Sequence, residues 1–330
     1  MKKLIIPISI TIAIIASGCS SQEDKANALC DIGWKFIIQG KEKEDTTLFD
    51  SANSYFEKAL AIAPTPLAYS GKAYYYERKD NLDEAMRYTD KALSIDSNCH
   101  RAFFVKGIIA IKQKDYQLSI KYHQKQYKNS IHDTDKANAL RNLALLYYRL
   151  GKMDRYVEIC KKAYELYPTN VYVLHNLAIA YHIEGYYEKS NDIYDKIIAA
   201  NYGKYVHRHA WSNKAMNFEK LGMYNAAILC NRKVLEIDNE DITALASLSD
   251  YFTKEKQYDS AFIYLDKAIA IDSTWHYVYL AKGDTYKAMG KEYYPQAIAE
   301  YEKAIRFCEN DDNIKEIKDS IAIVKKRMRK

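Results

Sequence analysis

One ruler constrains this chain more than any other feature. Gly151, Gly185 and Gly222 step by 34 and 37 residues, and Gly290 follows at twice 34, with Lys256 in the intermediate slot. Tyr147, Tyr181, Phe218, Phe252 and Tyr286 step by 34, 37, 34 and 34. Ala144, Ala178, Ala215, Ser249 and Gly283 keep the same steps. Three residue classes held in one register mean a tandem array, and an array must be recognised before any site is sought.

The physical logic of one period is a helical hairpin. A small residue sits where two helices come closest, an aromatic one turn later fills the space beside it, and a Gly ends the first helix where positive φ is needed. A second helix follows, and Pro64 and Pro168 mark where such helices stop. Only 11 Gly and 5 Pro in 330 residues argue against the many tight turns of an all-β fold.

"NLALLYYRLGKMD" (142–154), "NLAIAYHIEGYYE" (176–188) and "WSNKAMNFEKLGMYNAA" (211–227) resemble the first helix and turn of the tetratricopeptide repeat family. "ANSYFEKALAIAP" (52–64), "YDSAFIYLDKAIAID" (258–272) and "QAIAEYEKAI" (296–305) resemble its second helix. The fold expected is all-α: a right-handed superhelical solenoid of about eight hairpins, at 26–65, 66–99, 100–133, 137–170, 171–204, 208–241, 242–275 and 276–311. Residues 312–330 read as a capping helix with Ile314, Ile317, Ile321 and Val324 on one side and a basic end, as solenoids need. The resemblance implies a concave face lined by first helices, where ligands bind. Departures are a longer turn expected around 40–47, a degenerate third hairpin with Ser119, His123 and Gln126 in small or apolar slots, and Tyr156 where a small residue is expected.

The N-terminus is of a different kind. Lys2 and Lys3 precede an apolar run from Leu4 to Ala16, shorter than the roughly 20 residues a membrane span needs. With Ala16-Ser17-Gly18-Cys19 it resembles a bacterial lipoprotein signal. The resemblance implies cleavage after residue 18, acylation (palmitate among the chains) of Cys19, a tether over 19–25 and a place in the cell envelope. Ser20 permits sorting to the outer membrane, on an undetermined face, and Ser20 to Asp24 resembles the export tag of Bacteroidetes lipoproteins.

Charge and chemistry narrow the function. The formal charge is +6, and without Lys2 and Lys3 it is near +4, a solvated surface of mixed sign rather than a nucleic-acid footprint. The basic end from Lys325 to Lys330 suits a helix C-terminus. The paired acids Asp311 and Asp312 read as a solvated turn at the end of the last hairpin. Cys30, Cys99, Cys160, Cys230 and Cys308 are widely spaced and read as buried small hydrophobes. No phosphate loop, nucleophile elbow or zinc-ligand spacing occurs, so neither catalysis nor a metal or other cofactor is expected.

The sharpest candidate site is a row of asparagines. Asn142, Asn176 and Asn213 hold one slot in three successive repeats. A carboxamide both donates and accepts, so such a row can clamp the backbone of an extended peptide. Arg141, Tyr148, Arg149, His175 and His182 are expected near the same face, giving it a mildly basic, aromatic character. The expected function is a membrane-anchored scaffold that binds a peptide or helix of a protein partner. The alternative is a glycan- or small-ligand-binding lipoprotein that uses some of the 31 tyrosines.

Overall fold

The computed structural model describes residues 21–43, 45–200 and 202–329, with the backbone alone at 41–43. Cys19 and the expected signal lie outside the described residues. Among those described are seventeen α-helices and no strand, the all-α repeat solenoid read from the sequence. The chain divides into two compact units, Met1–Pro168 and Thr169–Lys330.

The N-terminal unit holds four hairpins: α1 (Gln22–Lys43) with α2 (Thr47–Ile62), α3 (Pro66–Arg78) with α4 (Leu82–Ile95), α5 (His100–Lys112) with α6 (Tyr116–Asn129), and α7 (Asp133–Arg149) with α8 (Met153–Leu166). The C-terminal unit holds four more: α9 (Val171–Ile183) with α10 (Tyr187–Ala199), α11 (Lys204–Lys220) with α12 (Tyr224–Ile237), α13 (Ile242–Lys254) with α14 (Tyr258–Ile271), and α15 (His276–Met289) with α16 (Tyr294–Phe307). Helix α17 (Asp311–Met328) buries Ile317, Ile321 and Val324 against the last hairpin.

Local chemistry sets the ends. Thr65, Asn81, Asp115, Asn170, Asp241 and Asn310 each accept a backbone N–H of the following first turn, which satisfies donors a helix start leaves open. After the first helix of the second to seventh hairpins the chain turns through positive φ. Gly151, Gly185 and Gly222 do this at +69°, +80° and +71°, while Asp80, Lys114 and Lys256 take the same slot at about +60°. Two expectations need correction. The extra residues of the first hairpin lengthen α1 to Lys43 instead of its turn. Asp311 and Asp312 form the first turn of α17, behind the Asn310 cap, where carboxylates oppose the positive helix end.

The small-residue slots are small because rings fill the space. Phe56 is fully buried, and a Cβ on Gly33 or Gly71 would lie 2.7 or 2.4 Å from its ring. Tyr301 meets Gly283 in the same way, at 2.5 Å. In the third hairpin the ring is His123, lying against Gly107. Its Nδ1 is 2.8 Å from Gln126 Oε1, and Ser119 Oγ donates to the Gly107 carbonyl at 2.9 Å. The degenerate hairpin is therefore a hydrogen-bonded polar core. Tyr156 is buried as well, tilted against Tyr148 at 5.3 Å.

A second device recurs between hairpins. Lys72, Lys106, Lys214 and Lys282 occupy a first-helix slot that is Leu elsewhere (Leu143, Leu177, Leu248). Each ammonium reaches a carboxylate on the preceding second helix: Glu57 at 2.8 Å, Asp90 at 2.7 Å, Asp195 at 2.5 Å and Asp266 at 3.0 Å. Lys72 and Lys214 are almost wholly buried and lie over aromatic rings. Asp195→Asn is expected to destabilise the C-terminal unit by about 1–2 kcal/mol, because it strands a buried ammonium. Lys214→Met, filling the slot as Leu does elsewhere, should stay within about 1 kcal/mol of the parent. Urea titration of both variants checks the asymmetry, and equal losses would contradict it.

Candidate functional site

First-helix faces are the place to look, since second helices and neighbouring hairpins consume the rest. The two units present these faces separately. In the N-terminal unit, α7 exposes Leu145, Tyr148 and Arg149. Arg141 and Asn142 on the same helix are half-buried. Asn142 Nδ2 is enclosed without a hydrogen-bond partner, an open donor of the kind that calls for a ligand or water.

In the C-terminal unit the expected residues diverge. Asn176 is buried. Asn213 Nδ2 donates to its own helix, at the His209 carbonyl (2.8 Å), because a carbonyl four residues back lies within reach of a mid-helix Asn. His175 sits edge-on to the buried ring of Tyr194 on α10, at 5.8 Å. Burial pushes it down to about 4, with His209 adding to the effect, so it is neutral near pH 7. His182 Nδ1 pairs with Asn217 Oδ1 at 2.6 Å. Asn217, itself buried, donates to Ser190 Oγ (2.9 Å) and Asn191 Oδ1 (2.8 Å). Both histidines thus belong to the packing between helices.

A different pattern was passed over. Leu145, Ile179, Met216, Asp250 and Asp284 occupy one slot, stepping by 34, 37, 34 and 34. The same ruler that exposed the glycines would have found it. Within the C-terminal unit the slot changes from apolar, with Met216 exposed, to acidic. Tyr277 Oη donates to Asp250 Oδ2 at 2.9 Å, and Lys254 reaches Glu219 at 2.6 Å. Tyr301 Oη and Lys287 both engage Asp284. Burial pushes the Asp250 carboxyl up to about 6, and the nearby Asp284 and Glu219 charges push the same way. Nothing in this arrangement pairs a nucleophile with a base. It offers uncovered apolar side chains bordered by polar groups, a surface for binding.

With helices, turns and packing slots in place, comparison with known proteins is decisive for the repeat type. The model of the tetratricopeptide repeat matches residues 67–99, 137–170 and 209–241. These three stretches are tetratricopeptide repeats. It is similar to the TPR repeat-containing protein MJ1428 of Methanocaldococcus jannaschii, 27% identical over 73% of this chain and 36% of that protein. It thus spans about a third of that relative's length. It is also similar to the photosystem I assembly protein Ycf3 of Prochlorococcus marinus, 28% identical over 36% of this chain and 73% of that one. Among solved structures, a tetratricopeptide repeat protein from Parabacteroides merdae superposes with TM-score 0.59 at 16% identity, covering 78% of this chain and 98% of its own. Pseudomonas aeruginosa pilF gives 0.54 at 16% identity, covering 71% and 100%. These likenesses concern the fold, and tetratricopeptide repeats of this kind serve as protein-binding scaffolds.

Proposed function

We propose that this tetratricopeptide chain is an envelope scaffold, lipid-anchored through Cys19 at the outer membrane, whose first-helix faces capture a peptide or helix of a protein partner. One observation carries the binding half of the reading: large apolar side chains, Leu145 and Tyr148 on α7 and Tyr172 and Met216 on α9 and α11, are left close to half exposed. Such anchors gain most when a partner covers them. Asn142, with its open donor, and Arg149 beside it supply polar recognition. The name of one relative, a photosystem I assembly protein, points the same way for that protein. The anchoring half rests on the Ala16-Ser17-Gly18-Cys19 sequence.

Two readouts test it in cells. Metabolic labelling with an alkyne fatty acid is expected to mark the wild type and to be lost in Cys19→Ser, together with its membrane fractionation. Pull-downs from detergent-extracted membranes compare the wild type with Leu145→Glu/Met216→Glu and with Asn142→Ala/Asn176→Ala/Asn213→Ala. A partner enriched by the wild type and lost from the Glu variant supports the groove. Retention by both folded variants rules the groove out, and retention by the Asn variant alone rules out the backbone clamp. If the wild type enriches no protein, the scaffold reading fails.

A further inference from the structure

The charge of this chain is concentrated. Between His100 and Asn129 six lysines and Arg101 face a single carboxylate, Asp115, a balance of +6 equal to that of all 330 residues. The mixed-sign surface expected from composition therefore breaks down in the third hairpin. Part of its charge is paired: Lys106 with Asp90 at 2.7 Å, and Lys112 with Glu77 and Asp80 at 3.0 Å. Arg101 lies over Trp34 at 4.6 Å. What remains is Lys114 in the turn and the outer stripe of α6. Lys121, Lys125 and Lys128 recur at i, i+4 and i+7, so they share one face. All three are exposed, and none forms an ion pair among the described residues.

The stripe lies in a longer row. Lys58, Lys91, Lys125 and Lys162 hold the same slot in α2, α4, α6 and α8, all exposed. Each ammonium rests near an aromatic ring: Tyr55 at 5.2 Å, Tyr88 at 5.4 Å, Phe103 at 5.2 Å and Tyr127 at 5.1 Å. Four residues on from Lys58 and Lys91 stand the exposed side chains of Ile62 and Ile95, and in the loop two residues past α6 stands Ile131, 82% exposed.

We propose that this second-helix face of the N-terminal unit, centred on Lys121, Lys125 and Lys128, docks on an anionic lipid bilayer. A row of lysines alone fits any polyanion. The isoleucines favour the bilayer: an acidic peptide would neutralise the lysines and leave Ile131 in water, whereas the interface offers phosphates to the ammonium groups and an apolar layer to the isoleucines. The face is distinct from the first-helix groove, and either surface can fail its test without the other.

The test is flotation of the full-length protein with vesicles of pure phosphatidylcholine or with phosphatidylglycerol at three parts in ten. The apolar run from Leu4 to Ala16, with Lys2 and Lys3 beside it, is common to every variant, so the readout is the part of the anionic-lipid gain that depends on the α6 lysines. Each lysine near an anionic surface strengthens binding by about fivefold, so three contribute about a hundredfold. The wild type is expected to gain about that much, in a salt-sensitive manner, and Lys121→Gln/Lys125→Gln/Lys128→Gln should lose the gain while keeping its helical circular dichroism. Ile131→Ser should weaken anionic binding about tenfold. Equal flotation with both vesicles overturns the proposal, as does a gain unchanged in the triple variant. So does binding of soluble polyglutamate that the triple variant abolishes while vesicles show no gain, an outcome that assigns the face to an acidic protein.

Discussion

Phe56→Ala is expected to cost the N-terminal unit about 3–5 kcal/mol, the range for removing a large aromatic side chain from a rigid core. The side chain is fully buried and lies between two glycines, Gly33 of its own hairpin and Gly71 of the next. Its ring meets Trp34 edge-on at 5.8 Å. Truncation removes contacts with two successive hairpins at once. Relaxation cannot fill the void, because Gly33 and Gly71 carry no side chain to move inward. In a solenoid, stability is a sum of local and nearest-neighbour contributions, so the first two hairpins should open first. Trp34 is the only tryptophan of the N-terminal unit, and hydrogen exchange at α1 to α4 resolves the loss from other openings. Phe56→Leu should recover more than half of it. A cost below 1 kcal/mol, or protection unchanged in α1 and α3, would show that the Gly–Phe–Gly contact does not join these hairpins.

The same contact explains what could be read from the sequence. Small and aromatic residues keep a ruler because a ring needs a hole, and Gly33, Gly107 and Gly283 are holes for Phe56, His123 and Tyr301. That requirement is local and periodic, so the repeats were legible. The lysine–carboxylate pairs were not. Lys72, Lys106, Lys214 and Lys282 alternate with Leu in their slot, and their partners lie on another helix 15 to 19 residues upstream. The candidate site was legible in position only. A slot fixes the helical face of an Asn or His, but not which hydrogen bond its side chain chooses. Asn213 found its own helix, and His182 found Asn217 across a helix boundary. The acidic slot of Asp250 and Asp284 keeps the same ruler, but in sequence a carboxylate there reads as solvated surface, and only the fold shows that Asp250 is enclosed beside Tyr277.

Acid should weaken the N-terminal unit through one residue in particular. His123 is fully buried, and burial pushes it down to about 4, with the Arg141 charge acting in the same direction and Gln126 opposing. In the unfolded chain a histidine titrates near 6.5. Above that pH both states hold His123 neutral, and stability is flat. Between about 6.5 and about 4 the unfolded state binds a proton that the folded state refuses, so stability falls as pH falls, by about 1.4 kcal/mol per pH unit. From pH 7.5 to 4.5 the loss attributable to His123 is about 2–3 kcal/mol. The hairpin already carries +6, and a neutral imidazole spares its core a further charge. His123→Phe/Gln126→Leu removes the titrating group without stranding the Gln126 carbonyl oxygen, and it places in the third hairpin the ring that Phe56 provides in the first. Urea unfolding of the two proteins at pH 7.5 and 4.5 isolates the effect, since His100, another histidine held low by burial, is present in both. The variant is expected to lose about 2–3 kcal/mol less than the parent between the two pH values. Parallel losses would mean that His123 takes up its proton within the folded hairpin.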